Sequence, residues 1–169
     1  MNRTLTATLV VVFVSLVIVV VTMSSDDEKS LLLPPFLHDV EISEITSAVI
    51  TYDDELVEYQ SINGDWSFSS TGEPVDAERW AGIPQLLQGP RIVTSIGDEF
   101  GDLVDYGLDD PSIQVAVTLQ DGSVVVTLIG SVTPDGLNHY ASLEGSSRVV
   151  LLERGWGDIM AGLVANLPG

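Results

Sequence analysis

Residues 113–130 read IQVAVTLQDGSVVVTLIG, and this stretch decides the fold. Apolar and polar side chains alternate on both sides of Asp121-Gly122, a dipeptide that is typical of tight turns between antiparallel strands. Alternation of this kind indicates a strand that turns one face toward a hydrophobic core. The stretch therefore predicts a β-hairpin within an antiparallel sheet.

Three further segments on either side carry the same kind of pattern. Alternating runs that are interrupted by a glycine-containing turn predict two more hairpins, and a lone alternating run predicts one more strand. These segments are residues 138–153, with a turn at 145–147, residues 55–70, with a turn at 63–65, and residues 40–52.

Two segments have the periodicity of amphipathic helices. Asp76 can cap a helix that Gly89-Pro90 ends, and Pro84 inside this helix predicts a kink or a short break. A closing helix is predicted over residues 155–167. The predicted apolar faces are Ala77, Trp80, Ile83, Leu86 and Leu87 in the first helix, and Trp156, Ile159, Met160, Leu163, Val164 and Leu167 in the closing one.

Strands followed by a helix occur twice along the chain, and this order predicts the fold class. The first instance covers residues 57–87, and the second covers residues 140–164. We expect an α+β fold, in which an N-terminal transmembrane helix precedes an antiparallel-sheet domain. That domain is expected to consist of two hairpin-strand-then-helix units, with the two helices covering one face of the sheet.

The composition excludes several classes of function. The chain has 25 Asp and Glu against six Lys and Arg, which gives a formal charge of −19. Such a surface repels phosphate backbones, so nucleic acid is not an expected partner. The sequence contains no cysteine, which excludes disulfides, thiol catalysis and zinc–thiolate sites.

The N-terminal segment, residues 1–25, has the composition of a membrane anchor. No charged residue occurs from Thr4 to Ser25, and about 20 apolar residues suffice to span the hydrocarbon core of a bilayer. Arg3 precedes the apolar run and Asp26 follows it, which predicts a cytoplasmic N-terminus and an extracytoplasmic C-terminal domain. A cleaved signal peptide is the alternative, but the run is long for one and lacks an A-x-A site. We therefore expect a single-pass protein of the cell membrane.

A linker, residues 26–37, connects this segment to the domain expected over residues 38–169. The linker pairs an acidic start with a stiff apolar part around Pro34-Pro35. Its apolar side chains have two interpretations: they pack onto the domain as its first extended segment, or they contact a partner. The candidate contact residues are Leu31, Leu32, Leu33 and Phe36.

A distinctive motif precedes the central hairpin. Tyr106 and Leu108 are apolar anchors that we expect in the core between sheet and helices, and Gly107 between them permits a positive φ. Pro111 favours an extended backbone just before the strand. We interpret Tyr106, Gly107, Leu108 and Pro111 as a structural latch.

No catalytic or cofactor site is expected from the sequence. The acidic run of residues 98–110 has carboxylates that could bind Ca²⁺, but their spacing does not match an EF-hand loop. His38 and His139 are the only histidines, and neither lies in a hydrolase motif. The glycines around Trp156 match a nucleotide-binding loop only loosely. The acidic run consists of Asp98, Glu99, Asp102, Asp105, Asp109 and Asp110.

The order of these features resembles the DUF4340 family of membrane-anchored proteins. The resemblance rests on LLPPF at residues 32–36, NGDWSF at 63–68, VDAERW at 75–80 and the long segment 105–152. It implies an extracytoplasmic α+β domain and brings no established reaction. Some family members are associated with ABC-type transporters or gliding-motility components, which implies accessory roles.

Two classes of function follow as expectations. The first is a non-enzymatic accessory subunit, anchored in the bilayer and presenting its domain to other membrane protein subunits. The alternative is an extracytoplasmic ligand- or cation-binding module associated with an ABC-type transporter. The apolar linker favours the first expectation, and the acidic run favours the second.

Overall fold

The computed structural model describes residues 35–97 and 103–165, and all statements on structure refer to these ranges. The described strands are β1 (Ile45–Tyr52), β2 (Glu55–Ile62), β3 (Asp65–Phe68), β4 (Ile92–Gly97), β5 (Ile113–Leu119), β6 (Val124–Val132), β7 (Asn138–Leu143) and β8 (Val149–Glu153). The described helices are α1 (Ala77–Trp80), α2 (Ile83–Leu87) and α3 (Arg154–Ala165), with 3-10 turns at Ile42–Glu44 and Leu103–Tyr106.

All eight strands form one antiparallel sheet in the order β3-β2-β1-β5-β6-β7-β8-β4. The predicted hairpin around Asp121-Gly122 is present as β5 and β6, with Val117 opposite Val125. The hairpins β2–β3 and β7–β8 also lie where the turn residues predict them. The local part of the strand prediction is therefore confirmed.

The predicted fold class is wrong. The described chain is mostly one sheet with little helix, and it is not divided into two hairpin-then-helix units. The reason is long-range pairing: β1 pairs with β5, which joins the strands of both halves, and β4 pairs with β8 at the far edge. Each helix consequently packs on a shared sheet and does not complete a unit of its own.

The first predicted helix is broken into two short pieces. Asp76 caps α1 as expected, because its carboxylate accepts a hydrogen bond of 2.8 Å from the Arg79 amide. The break lies at Gly82, between α1 and α2. Its φ of +84° is not helical and therefore interrupts the helix. Pro84 occupies the first turn of α2. Backbone amides in a first turn have no intrahelical acceptor, so the missing amide hydrogen of proline costs no hydrogen bond.

The hydrophobic core lies between one face of the sheet and helix α3. Ala48, Ile50 and Val117 are fully buried on that face, and α3 packs across β1 and onto the neighbouring strands. Two hydrogen bonds fix the helix: Tyr59 donates to the Leu163 carbonyl at 2.9 Å, and the Trp156 indole donates to the Leu86 carbonyl at 3.1 Å.

The face that α3 buries agrees in part with the predicted one. Trp156, Met160, Leu163 and Val164 are buried as expected. Ile159 is 43% exposed, contrary to the prediction, and Leu167 lies outside the described residues. The stripe of α3 that packs on the sheet is narrower than the full apolar face of its sequence.

The predicted membrane span, residues 1–25, lies outside the described residues. Within the described ranges, no helix combines the length and the apolar character needed to cross a bilayer.

Gly130 on β6 meets the backbone of the turn that precedes β5. A Cβ atom at this position would overlap the Tyr106 carbonyl oxygen and lie 2.8 Å from the Gly107 carbonyl carbon. Backbone atoms cannot rotate away from such a contact. The glycine therefore allows residues 106–107 to lie directly on the sheet.

We predict that Gly130→Ala lowers the free energy of unfolding by about 2 kcal/mol, because the added methyl group overpacks the contact with residues 106–107. Chemical denaturation of the full chain measures this change. Gly155→Ala is the matched control, since a Cβ atom there meets no atom within 4 Å and alanine favours a helix. Equal stability of the two variants would contradict the contact.

Candidate interaction surfaces

The motif Tyr106-Gly107-Leu108 lies against the sheet on the face away from α3. Tyr106 is half-buried and its ring packs on Tyr140, with 4.9 Å between the ring centroids. Tyr140 follows His139 and precedes Ala141, both buried, so alternation places its ring on the opposite face of β7. Gly107 has a φ of +67°, in the left-handed region that glycine adopts readily.

Leu108 and Pro111 complete the motif in different ways. Leu108 is buried but does not belong to the hydrophobic cluster beneath the helices. Pro111 is half-buried two residues before β5 begins. Tyr106 thus covers part of the second face of the sheet, and none of the four motif residues belongs to the described hydrophobic cluster between sheet and helices.

Of the candidate contact residues, Phe36 is described, whereas Leu31, Leu32 and Leu33 lie outside the described residues. Phe36 pairs with Arg91 in an isolated antiparallel bridge. The bridge is flanked by hydrogen bonds from the Leu37 amide to the Pro90 carbonyl at 2.9 Å and from the Ile92 amide to the Pro35 carbonyl at 2.8 Å. From Pro35 onward, the linker therefore packs beside β4 as an extended segment.

A second feature is the face of the sheet that α3 does not cover. Its central side chains are neither fully buried nor fully exposed, and strand pairing places them in adjacent rows. We call this surface the open face, and it consists of Val49, Thr51, Ala116, Thr118, Val126 and Leu128.

Carboxylates border the open face on two sides. Val49 pairs with Glu58 on one side and with Ala116 on the other, and Ala116 in turn pairs with Val126. Beyond Val126, the Glu144 amide donates a 3.0 Å hydrogen bond to the Val126 carbonyl. A row of small apolar side chains thus runs between two exposed acidic residues.

A third feature is a groove between the linker, α2 and α3. Its volume is about 410 Å³, which is within the range of small-molecule sites. We call it the Phe36–Trp156 groove, and its walls include Phe36, Leu86, Pro90, Arg91, Trp156 and Ile159. Glu153 lies at its rim.

Arg91 is held at this groove by an aromatic ring. Its guanidinium carbon lies 5.8 Å from the centre of the Phe36 ring, within the range of a cation–π contact. Among the described residues, no carboxylate lies within 4.0 Å of this guanidinium. Within the described ranges, a cation without a carboxylate partner therefore lines an apolar groove.

His139 is buried beneath the first turns of α3. Its Nδ1 atom lies 3.4 Å from the Gly130 carbonyl oxygen, and its Nε2 atom lies 3.8 Å from Asp158 Oδ1. A Cβ atom on Gly157 would come within 2.9 Å of the ring. The imidazole thus fills the space between β7 and α3.

The acidic run is only partly described. Asp98, Glu99 and Asp102 lie outside the described residues, whereas Asp105, Asp109 and Asp110 lie within them. In the described ranges, no group of three or more His, Cys, Asp or Glu side chains is arranged to hold a metal ion.

Comparison with known protein families, with curated proteins and with solved structures gave no match, which neither supports nor contradicts the resemblance to DUF4340.

Sequence reasoning missed the open face and the Phe36–Trp156 groove. The β-branched run in β4 was a usable indication of a strand at residues 92–97. No sequence pattern indicated that Phe36 and Trp156 line the same groove. These residues are separated by 119 others in the sequence, and only long-range packing brings them together.

The burial of His38 predicts that the stability of the domain depends on pH. Burial lowers the pKa of its imidazole below the ordinary value of 6.5, against smaller raising effects of the Gln88 carbonyl and the Asp39 charge. Its Nδ1 atom has no hydrogen-bond partner among the described residues. Below pH 6.5 the unfolded chain takes up a proton at His38 before the folded chain does, so the stability due to neutral His38 is lost as the pH falls.

We predict that the chain loses more stability than a His38→Gln variant between pH 7.5 and pH 5, because glutamine does not titrate. Thermal unfolding of both proteins across this range measures the difference. Both proteins contain the same carboxylates, so the effect of carboxylate titration on stability cancels in the difference between the two curves. Parallel curves for the two proteins would contradict the role of His38.

Proposed function

We propose that the chain is a non-enzymatic accessory subunit of a membrane protein complex. In this proposal the apolar segment of residues 4–25 anchors it in the cell membrane, and the sheet domain is presented on the extracytoplasmic side. Arg3 before the apolar segment and Asp26 after it support this orientation. The proposed partners are the bilayer and other membrane protein subunits.

The open face is the observation that carries the proposal. Antiparallel sheets that have one solvated face usually carry polar side chains there. Here Val49, Ala116, Val126 and Leu128 form a contiguous apolar area at the middle of that face. Contiguous apolar surface of this kind is typical of protein contact sites.

The acidic border indicates the chemistry of the partner. Glu58 and Glu144 stand at the two sides of the apolar row, and the whole chain carries a charge of −19. A second copy of the chain would bring like charges together. The complementary surface is an apolar strip flanked by Lys or Arg, because matched charges orient two surfaces and suppress wrong pairings.

A ligand-binding module, associated with an ABC-type transporter, is the second candidate function. The Phe36–Trp156 groove favours it, because the groove combines apolar walls with a guanidinium that has no carboxylate partner in the described ranges. The groove gives no comparable support to cation binding, since its lining combines one carboxylate, Glu153, with the positive charge of Arg91.

We predict that the full chain, purified in mild detergent, carries a partner at fixed stoichiometry, and that Val126→Arg reduces this partner about tenfold or more. The long arginine side chain can extend into solvent, so the fold tolerates it while the apolar contact does not. Native mass spectrometry measures the stoichiometry. Leu137→Arg is the matched control, since Leu137 is 67% exposed in the β6–β7 turn.

Replacement of Leu31, Leu32 and Leu33 by serine tests the linker separately. We expect weaker association and an unchanged melting temperature. A monodisperse monomer in several mild detergents, with no stoichiometric companion, would show that the accessory-subunit proposal is wrong.

A further inference from the structure

Arg91 differs from the other arginines of the described ranges. Arg79 donates to the Gly162 carbonyl at 2.7 Å, Arg148 to Ser95 Oγ at 3.3 Å, and Arg154 to Asp158 Oδ2 at 3.3 Å. For Arg91 the described contact is with the Phe36 ring. Its side-chain N–H donors have no hydrogen-bond acceptor in the part of the chain that the structure describes, and they lie at the wall of the groove.

Glu153 is the carboxylate that would be expected to pair with Arg91. Ile92 pairs with Leu152, so Arg91 and Glu153 stand opposite each other where the two strands end. Opposite charges at such positions commonly form a pair. In the structure the guanidinium lies over Phe36, and no ion pair with Glu153 forms within 4.0 Å. The guanidinium therefore stays in the groove and is not neutralised by its neighbour.

We propose that the Phe36–Trp156 groove binds a small apolar molecule that carries a single carboxylate, an inference that rests on the second candidate function. The planar guanidinium of Arg91 matches a carboxylate through two parallel hydrogen bonds. The apolar body of the ligand packs on Phe36, Leu86, Trp156 and Ile159, and the exposed Ile159 becomes covered.

The surroundings restrict the charge of the ligand. Glu153 at the rim and the strongly acidic surface of the chain repel anions, so each additional negative charge weakens binding. A monocarboxylate makes the contact with Arg91 and experiences the smallest electrostatic repulsion from Glu153 and the acidic surface. Phosphate esters, which carry close to two charges at neutral pH, are disfavoured for the same reason.

Fluorine NMR of the full chain in phosphatidylcholine nanodiscs tests the proposal, with 5-fluorotryptophan at all three tryptophans. The probe is 4-phenylbutyrate, and its controls are 4-phenylbutanol and 4-phenylbutylamine, which share the apolar body but lack the carboxylate. Trp156→Phe assigns the resonance of Trp156 in the groove. Trp66 and Trp80 pack on each other away from the groove, with ring centroids 5.4 Å apart, and serve as internal references.

We expect 4-phenylbutyrate to shift the Trp156 resonance saturably and to leave the Trp66 and Trp80 resonances unchanged. Arg91→Gln should weaken binding about tenfold or more, because a charge-assisted contact is lost. Arg148→Gln is the control, since Arg148 lies near the β7–β8 turn and not in the groove. Unchanged Trp66 and Trp80 resonances in Arg91→Gln show that the variant is folded.

Three outcomes would overturn the proposal. Equal binding of the alcohol or the amine would refute carboxylate recognition and leave the groove as a ligand site of another class. Parallel shifts of all three resonances would indicate non-specific binding. Absence of any shift with all three probes would remove the support for the ligand-binding function as well, while partner capture tests the accessory-subunit proposal independently.

Discussion

The pairing of β1 with β5 is the constraint on which the rest of the described structure depends. Ile50 lies opposite Val115 and Ala48 lies opposite Val117, and all four side chains are almost completely buried. This contact joins strands that are about 65 residues apart in the sequence, so a large loop has to close before it forms. It converts two separate meanders into one sheet, and it creates the surface on which α3 lies.

A single sheet with one helical layer determines where the chain can interact. Helix α3 and the core residues of β1 and β5 bury one face, while the motif around Tyr106 covers the other face near β7. The remaining open face presents small apolar side chains between Glu58 and Glu144. Both proposed surfaces thus follow from the layer arrangement: one is the uncovered sheet, and the other is the gap where the linker meets α2 and α3.

Local signals predicted much of this structure, and long-range pairing did not follow from them. Asp121-Gly122, the Asn63-Gly64 turn and the Asp76 cap act within a few residues, so their consequences can be derived from the sequence. Alternating strands are mutually compatible in many orders, so alternation alone did not predict that β1 joins β5 or that β4 joins β8. The groove depends on the pairing of β4 with β8. Arg91 directly precedes β4, so this pairing places Arg91 beside the linker and α3.

The most direct test uses two adjacent residues that point to opposite faces of β6. The chain has no cysteine, so Val126→Cys and Thr127→Cys each introduce a single thiol. We predict that a water-soluble maleimide labels Val126→Cys rapidly in the purified full chain once its partner has been removed, and labels Thr127→Cys only after unfolding, because Thr127 is fully buried. In native membranes, we predict that Val126→Cys becomes protected by the partner. Equal labelling of both thiols in the purified chain would contradict the one-sided core, and unchanged labelling of Val126→Cys in membranes would contradict docking on the open face.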